Sequence, residues 1–345
     1  MNFSSDNVAG MSPEILAAMT AANSGKPPSY GDDPLTARVE HRLAEIFEHA
    51  VTVFPVATGT AANALALATL VPPWGTVLCH AEAHVVVDEC GAPEFYAGGS
   101  RIAGIAAPHG KIGVADLAGL LPGGKGVVHH MQPAAISLTQ ATEAGTVYRP
   151  DEIAAIGELA RRHGLGFHVD GARFANALVQ LGCTPADITW RAGVDVLSFG
   201  ATKNGAAAAE AVVFFDSAKA ADFAFRRKRG GHLFSKMRFL SAQLDAYLAN
   251  DLWLRNARHA NAMAARLAAG LSALPQMRLR HPVEANEIFV EMPNTVIEAL
   301  FARGFHFYRW DGPQGNCVRL VTAFDTAAAD VDALLVTARG VNSAE

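Results

Sequence analysis

Three polar clusters, each placed directly after an apolar run, carry residue types from which a reactive site could be built. They are Thr58-Gly59-Thr60, His168-Val169-Asp170-Gly171-Ala172-Arg173, and Ala201-Thr202-Lys203-Asn204-Gly205. Between a strand and a helix, the Thr-Gly-Thr turn presents free backbone N–H groups and the positive end of a helix dipole, with glycine allowing close approach. That combination favours a phosphate. Thr58 or Thr60 acting only as a helix cap is the ordinary alternative. A carboxylate at the end of an apolar strand, such as Asp170, lies at the sheet edge where open α/β sheets place ligands. Paired with a ring N–H⁺ it would keep a pyridine protonated; a plain ion pair with Arg173, or a cap, is the alternative. Lys203, set among small and apolar residues, loses solvation, so its amine is freed to attack an aldehyde. A solvated surface lysine is the alternative there.

The three clusters follow one another at the ends of separate strands, and so belong at one edge of a sheet. A phosphate cradle, a partner for a ring nitrogen and an imine-forming amine are together what pyridoxal phosphate requires, and few other ligands need all three. The expected cofactor is therefore pyridoxal 5'-phosphate, held by Lys203 as a Schiff base with Asp170 at the ring nitrogen.

The elements that must position these residues read as α/β. Val39, Leu43, Ile46 and Phe47 fall at i, i+4, i+7 and i+8, which predicts an amphipathic helix over Thr36 to His49, followed by a buried strand at Val51 to Val56. The Ala- and Leu-rich run Ala61 to Leu70 predicts a helix that Pro72-Pro73 ends. Asp151 to His163 predicts another, stopped by Gly164. Strands are expected at Gly166 to Asp170, Val194 to Phe199 and Ala211 to Phe215, in one mostly parallel sheet. From about Leu252 the pattern changes to a long helix, Arg255 to Leu274, with strands near Glu287 to Glu291 and Val318 to Ala323. The expected organisation is a large domain over 1–250 and a smaller C-terminal α+β domain over 251–345.

The bulk numbers set outer limits. A chain of 345 residues with half of them apolar, 18% charged and a formal charge of -5 lacks the basic excess of a nucleic-acid binder. Cys79, Cys90, Cys183 and Cys317 are scattered without a CxxC pair, which predicts neither a disulfide scaffold nor a zinc ribbon and fits a reducing, cytoplasmic setting. No metal is expected. Met1 to Gly10 does not read as a secretory signal, and no run reaches the ~18 apolar residues of a membrane span.

Nearly end to end, the sequence resembles the threonine aldolase and β-eliminating lyase family of fold-type-I pyridoxal-phosphate enzymes, related in fold to aspartate aminotransferase. The marks are Phe3-Ser4-Ser5-Asp6-Asn7, Tyr30-Gly31-Asp32-Asp33-Pro34, Thr58-Gly59-Thr60-Ala61-Ala62-Asn63, His84 with Glu89, the Asp170 cluster, Lys203, and Val318-Arg319-Leu320-Val321-Thr322. The resemblance implies that Gly59 and Thr60 hold the phosphate, that His84 stacks on the ring and takes part in catalysis with Lys203, and that Asp170 meets the ring nitrogen. It puts Arg173 near the ring hydroxyl and the substrate carboxylate, which Ser5 and Arg319 also bind. Tyr30 and Lys228 are implied to reach a neighbouring subunit's site, Lys228 at the phosphate, in a dimer or homotetramer. Where many relatives carry Glu-Asn-Thr-His, this chain has Thr139-Gln140-Ala141-Thr142-Glu143. The group serving the substrate hydroxyl thus stays open between Glu89, Thr142, Glu143 and a water.

The implied reaction is cleavage of L-threonine, L-allo-threonine or another β-hydroxy-α-amino acid such as phenylserine into glycine and an aldehyde. β-Elimination or transamination on the same fold is the rival, since a fold does not fix which bond breaks. A catalytically silent member of the fold is a second rival, against which the joint presence of Lys203, Asp170 and Arg319 argues.

Overall fold

Apolar runs without alternation, such as Val196-Leu197-Ser198-Phe199, suit strands covered on both faces, and the computed structural model, which describes residues 1–121 and 125–341, uses them that way. The main sheet contains β1 (Thr52–Val56), β2 (Gly75–His80), β3 (Arg101–Ile105), β4 (Gln132–Thr139), β5 (Gly166–Gly171), β6 (Val196–Gly200) and β7 (Glu210–Phe214). Their spatial order is β1-β7-β6-β5-β4-β2-β3, and of these only β7 runs against the rest. The sheet is thus mostly parallel, as the sequence predicts, and β4 lies in it although its polar start and Pro133 conceal it.

Local chemistry explains the helices around it. Asp33 accepts hydrogen bonds from the Leu35 and Thr36 N–H groups, each at 3.0 Å, and Pro34 fits the first turn, so this helix runs Pro34–Phe47 and begins before the predicted Thr36. Its Val39, Leu43 and Phe47 are buried. The helix Pro150–His163 stops at Gly164 with φ 68°, a left-handed turn that favours glycine. In the helix Gly59–Leu70 every residue from Ala61 to Ala68 is buried. Buried on all sides over that stretch and rich in alanine, it packs closely over the sheet and fixes where its first turn points.

A second sheet holds β8 (Arg278–Leu279), β9 (Glu287–Glu291), β10 (Tyr308–Arg309) and β11 (Cys317–Val321) in the antiparallel order β10-β11-β9-β8. With the long helix Leu252–Ser272 it gathers its own core, including Leu267, Ile288, Val290 and Leu320. Phe3 joins that core, with its ring 6.3 Å from Phe305, and the Val321 N–H donates to the Phe3 carbonyl at 2.8 Å. The first residues, grouped by the sequence reading with the large domain, therefore pack on the small sheet. Residues 342–345 of the expected small domain lie outside the described residues. Among the described residues, no helix is long and apolar enough to cross a membrane.

Candidate active site

The three sequence clusters meet around one cavity of about 340 Å³ at the carboxyl ends of β5 and β6, lined by Gly59, Thr60, Asn63, His84, Asp170 and Lys203 among others. The Thr58 hydroxyl accepts the Ala61 N–H at 3.1 Å and the Thr58 carbonyl accepts that of Ala62 at 3.1 Å. Thr58 is thus a cap, and the Gly59 and Thr60 N–H groups have no partner among the described residues. A Cβ at Gly59 would meet nothing within 4 Å, because that position faces open space. Two free amides at the start of a buried helix, beside a glycine, suit a phosphate.

Asp170 ends β5, and its orientation is fixed from two sides. Its Oδ2 accepts from Asn63 Nδ2 at 2.8 Å and its Oδ1 from the Ala172 N–H at 2.9 Å. The Asn63 amide also donates to Glu89 Oε1 at 2.9 Å, and the same oxygen accepts from His84 Nδ1 at 2.9 Å. Glu89 sits behind His84, buried, and its second oxygen has no hydrogen-bond partner, nor has the Asn63 carbonyl oxygen. Burial pushes the Glu89 carboxyl up against the pull of His84 and Asn63, while the hydrogen bond that His84 donates to Glu89 raises the imidazole over the opposing effect of burial. Asn63 appeared in a sequence motif but received no role there; its signal is a polar residue in an otherwise Ala- and Leu-rich helix.

Lys203 follows β6 in a short turn that is rigidly held. Asn204 donates to the Tyr247 hydroxyl and the Trp253 carbonyl, each at 2.8 Å, and Asn256 donates to the Asn204 carbonyl at 2.8 Å. Gly205, at φ 114°, ends the turn where a Cβ would lie 2.3 Å from the Ser12 hydroxyl oxygen. No hydrogen bond or ion pair engages the Lys203 amine among the described residues, although it lines the cavity. Glu210, which the sequence reading missed, opens β7 facing the same space. Its Oε2 accepts the Ala201 N–H at 2.9 Å, and burial pushes its carboxyl up to about 7. Free amides, an unpartnered amine and an oriented carboxylate around one cavity fit pyridoxal phosphate.

Arg173, expected near the ring hydroxyl and the substrate carboxylate, stands beside the cavity. It is buried, but its Nε and one terminal nitrogen donate to Asp6 at 2.7 and 2.9 Å and the other terminal nitrogen lies 3.0 Å from Glu287. So engaged, it does not line the cavity. Burial pushes Asp6 up, but the charges of Arg173 and Lys203 outweigh it and hold the carboxyl below its ordinary range. Arg319 stands on β11 between the rings of Tyr308 and Trp310, with one terminal nitrogen donating to the Ser4 carbonyl at 3.1 Å. Ser5 accepts the Asn7 N–H at 3.1 Å, and Asn7 reaches the cavity. Ser5, Arg173 and Arg319 thus form a cluster beside the cavity rather than part of its lining.

Of the candidates for the substrate hydroxyl, Glu143 lines the cavity. Thr142 is buried in a turn, its hydroxyl 2.8 Å from that of Thr146, and Glu89 is covered by His84. Tyr30 and Lys228 come together away from the cavity, with the ammonium 4.9 Å from the ring centroid, and both side chains are exposed.

Residues 2–295 match the family model described as beta-eliminating lyase. The chain belongs to the beta-eliminating lyase family. Within that family it is 45% identical to proteins named low specificity L-threonine aldolase from a Pseudomonas strain, over 99% of this chain and 98% of the relative, and from Pseudomonas aeruginosa, over 98% and 96%. The threonine aldolase of Leishmania major superposes with a TM-score of 0.92 at 30% identity, covering 99% of both chains. A serine palmitoyltransferase of Sphingomonas wittichii, at TM-score 0.73 and 16% identity, shares the fold alone, which is that of the fold-type-I pyridoxal-phosphate enzymes. This family member is an enzyme of the lyase class by these likenesses.

Proposed function

We propose that the protein is a pyridoxal-phosphate-dependent aldehyde-lyase that cleaves L-threonine, L-allo-threonine and related β-hydroxy-α-amino acids to glycine and an aldehyde. The observation that carries this is the convergence of Lys203, Asp170 and the free Gly59 and Thr60 amides on one cavity, in a chain 45% identical to proteins named for that reaction. Pyridoxal phosphate, when bound, supplies a covalent anchor for the substrate amino group and an electron sink for the charge left at Cα. Gly59 and Thr60 hold its phosphate, Lys203 supplies the amine that anchors it, and Asp170, steadied by Asn63, keeps the proton on its ring nitrogen. His84 flanks the ring with its imidazole fixed by Glu89.

Arg319, with Ser5 beside it, would bind the substrate carboxylate and so fix the orientation of the amino acid in the cavity. Arg173 serves indirectly, because it ties Asp6, and with it the N-terminal segment, against the cavity. Glu143 accepts the β-hydroxyl proton, being the cavity-facing carboxylate of the candidates. The exposed Tyr30 and Lys228 pair reaches a second subunit's site in a dimer or tetramer. Four free cysteines support a reducing, cytoplasmic setting.

The test is product analysis. Purified protein incubated with pyridoxal phosphate and L-threonine, L-allo-threonine, phenylserine or their D forms releases glycine and an aldehyde from the L forms. A keto acid with ammonia would instead identify β-elimination and overturn the proposal.

A further inference from the structure

The cluster beside the cavity contains a buried acid that the reaction above does not use. Glu287 opens β9 and is fully inaccessible to solvent. Arg319 pairs with Phe289 across the β9–β11 ladder, so Glu287, two residues from Phe289, shares a face with Arg319. Its Oε1 lies 3.8 Å from an Arg319 nitrogen and its Oε2 3.0 Å from Arg173. These are ion contacts without hydrogen-bond alignment, and neither oxygen of Glu287 has a hydrogen-bond partner. The charged groups that face it are Arg173, Glu143, Asp6 and Arg319.

Before substrate arrives the two arginines, Arg173 and Arg319, already face three acids, Asp6, Glu143 and Glu287. Arg319 has a buried Nε with no partner, so its guanidinium has donors left for an incoming anion. A substrate carboxylate docking there adds a further negative charge beside the fully buried Glu287, and an uncompensated buried charge is costly. One acid must then take a proton. Asp6 is a poor candidate, because Arg173 and Asn286 give its charged form three hydrogen bonds. Glu143 faces the cavity and is half-buried. Glu287 has no hydrogen bond to stabilise its anion.

We infer that Glu287 is a positioning residue that holds Arg319 toward the cavity and takes up one proton from solvent when a substrate carboxylate docks on Arg319, so that substrate binding is proton-linked. This rests on the reading of Arg319 as the carboxylate anchor. Burial, with the like charges of Glu143 and Asp6, pushes the Glu287 carboxyl up against the pull of Arg173, so that a further negative charge beside it tips it toward the protonated form.

The probe is 3-hydroxybutyrate, which keeps the carboxylate and β-hydroxyl of threonine but has no amino group to react with a lysine. Calorimetric titration of the holoenzyme at pH 8, in two buffers of different ionisation enthalpy, should show about one proton taken up per molecule bound, and about none in Glu287→Gln. The dissociation constant of the parent should rise roughly tenfold per pH unit above the Glu287 pKa, while that of the variant stays within about twofold from pH 6.5 to 8.5. KM for L-threonine should follow the same split across pH. The inference is overturned if the parent takes up no proton at pH 8, or if Glu287→Gln keeps the parent's pH slope. Should that variant not fold, the proton count of the parent decides alone. Failure of the underlying reading looks different: the parent releases no glycine from threonine, or Arg319→Ala binds 3-hydroxybutyrate as tightly as the parent.

Discussion

The two edges of the main sheet both carry a cavity, and the larger is at the wrong end for chemistry. At the amino edge a groove of about 810 Å³ runs past Trp190, Asp195 and Lys219, against about 340 Å³ at the carboxyl edge. In the groove the polar groups are mutually satisfied. Asp195 accepts the Phe167 N–H at 2.8 Å and pairs with Lys219 at 2.6 Å, His49 donates to the Phe215 carbonyl, and the Trp190 indole donates to that of Phe47. At the carboxyl edge, the Lys203 amine and two helix amides lack partners among the described residues, and buried oxygens of Asn63 and Glu89 are orphaned. Buried polar groups left without partners cost free energy, and a fold retains them where a ligand completes them. Volume does not tell the two apart; unmet hydrogen bonding does.

The largest effect that could break this comparison is at Lys203. Lys203→Ala should remove the visible absorbance of the cofactor-loaded protein and borohydride trapping of the cofactor, and lower glycine release by about a thousandfold or more. A variant that keeps both would move the anchor to another lysine and leave the carboxyl edge without its main distinction.

Next in size is Arg319→Ala. A forked guanidinium contact contributes roughly 1.5–3 kcal/mol per charged hydrogen bond, so affinity for threonine and turnover should fall together while the cofactor spectrum stays normal. Arg319→Lys keeps the charge without the fork and should recover little. Unchanged cleavage of threonine by Arg319→Ala would detach the small sheet from the site.

A third measurement compares the edges through pH. His168 lies under Asp170, wholly buried, with its ring nitrogens 2.8 Å from the Ser137 and 3.0 Å from the Ser198 hydroxyl. Burial pushes it down to about 4, over the opposing charge of Asp170, so the folded protein keeps it neutral where the unfolded chain would protonate it. The stability it contributes is present above about 6.5 and is lost as pH falls toward 4, to an extent of roughly 3 kcal/mol at most. Glu210 and Glu287, raised by burial, run oppositely and lose stability as pH rises from the ordinary glutamate range to about 7. The difference between parent and His168→Gln in urea midpoint, taken at pH 7 and pH 5, isolates the histidine. The gap between the two proteins should narrow or reverse at pH 5, and a constant gap would mean that His168 is protonated in the fold.

What was legible in the sequence follows from the range of the interactions. Asp170, Lys203 and the Thr58–Thr60 turn each end an apolar run, so their place at one sheet edge follows from local pattern and the rules of parallel sheets. The pairing of Arg173 with Asp6 joins residues 167 positions apart, and nothing in either neighbourhood announces it. Phe3 in the core of the small sheet is hidden for the same reason. β8 and β10, at two residues each, are too short to show any alternation. Glu210 and Glu287 left a weak signal: each is a charged residue that opens an apolar strand, a position where burial without a local partner is the exception.

The smallest expected effect is also the one that sharpens the comparison most, because it tests the larger groove directly. Lys219 and Asp195 are partly exposed, with 39% and 20% of their side-chain surface accessible, so solvent screens most of their attraction. Lys219→Met should therefore cost about 0.2–1 kcal/mol in stability, read from the urea midpoint. Asp195 keeps the Phe167 N–H in that variant, so β5 keeps its register and Asp170 its place at the far end of the strand. Glycine release from threonine should then stay within about twofold of the parent, since a surface pair of this kind has no charge to lend a site at the opposite edge of the sheet. A tenfold loss of activity, with the cofactor spectrum intact, would show that the amino-edge groove serves the reaction after all, and that satisfied hydrogen bonding is no guide to which edge is idle.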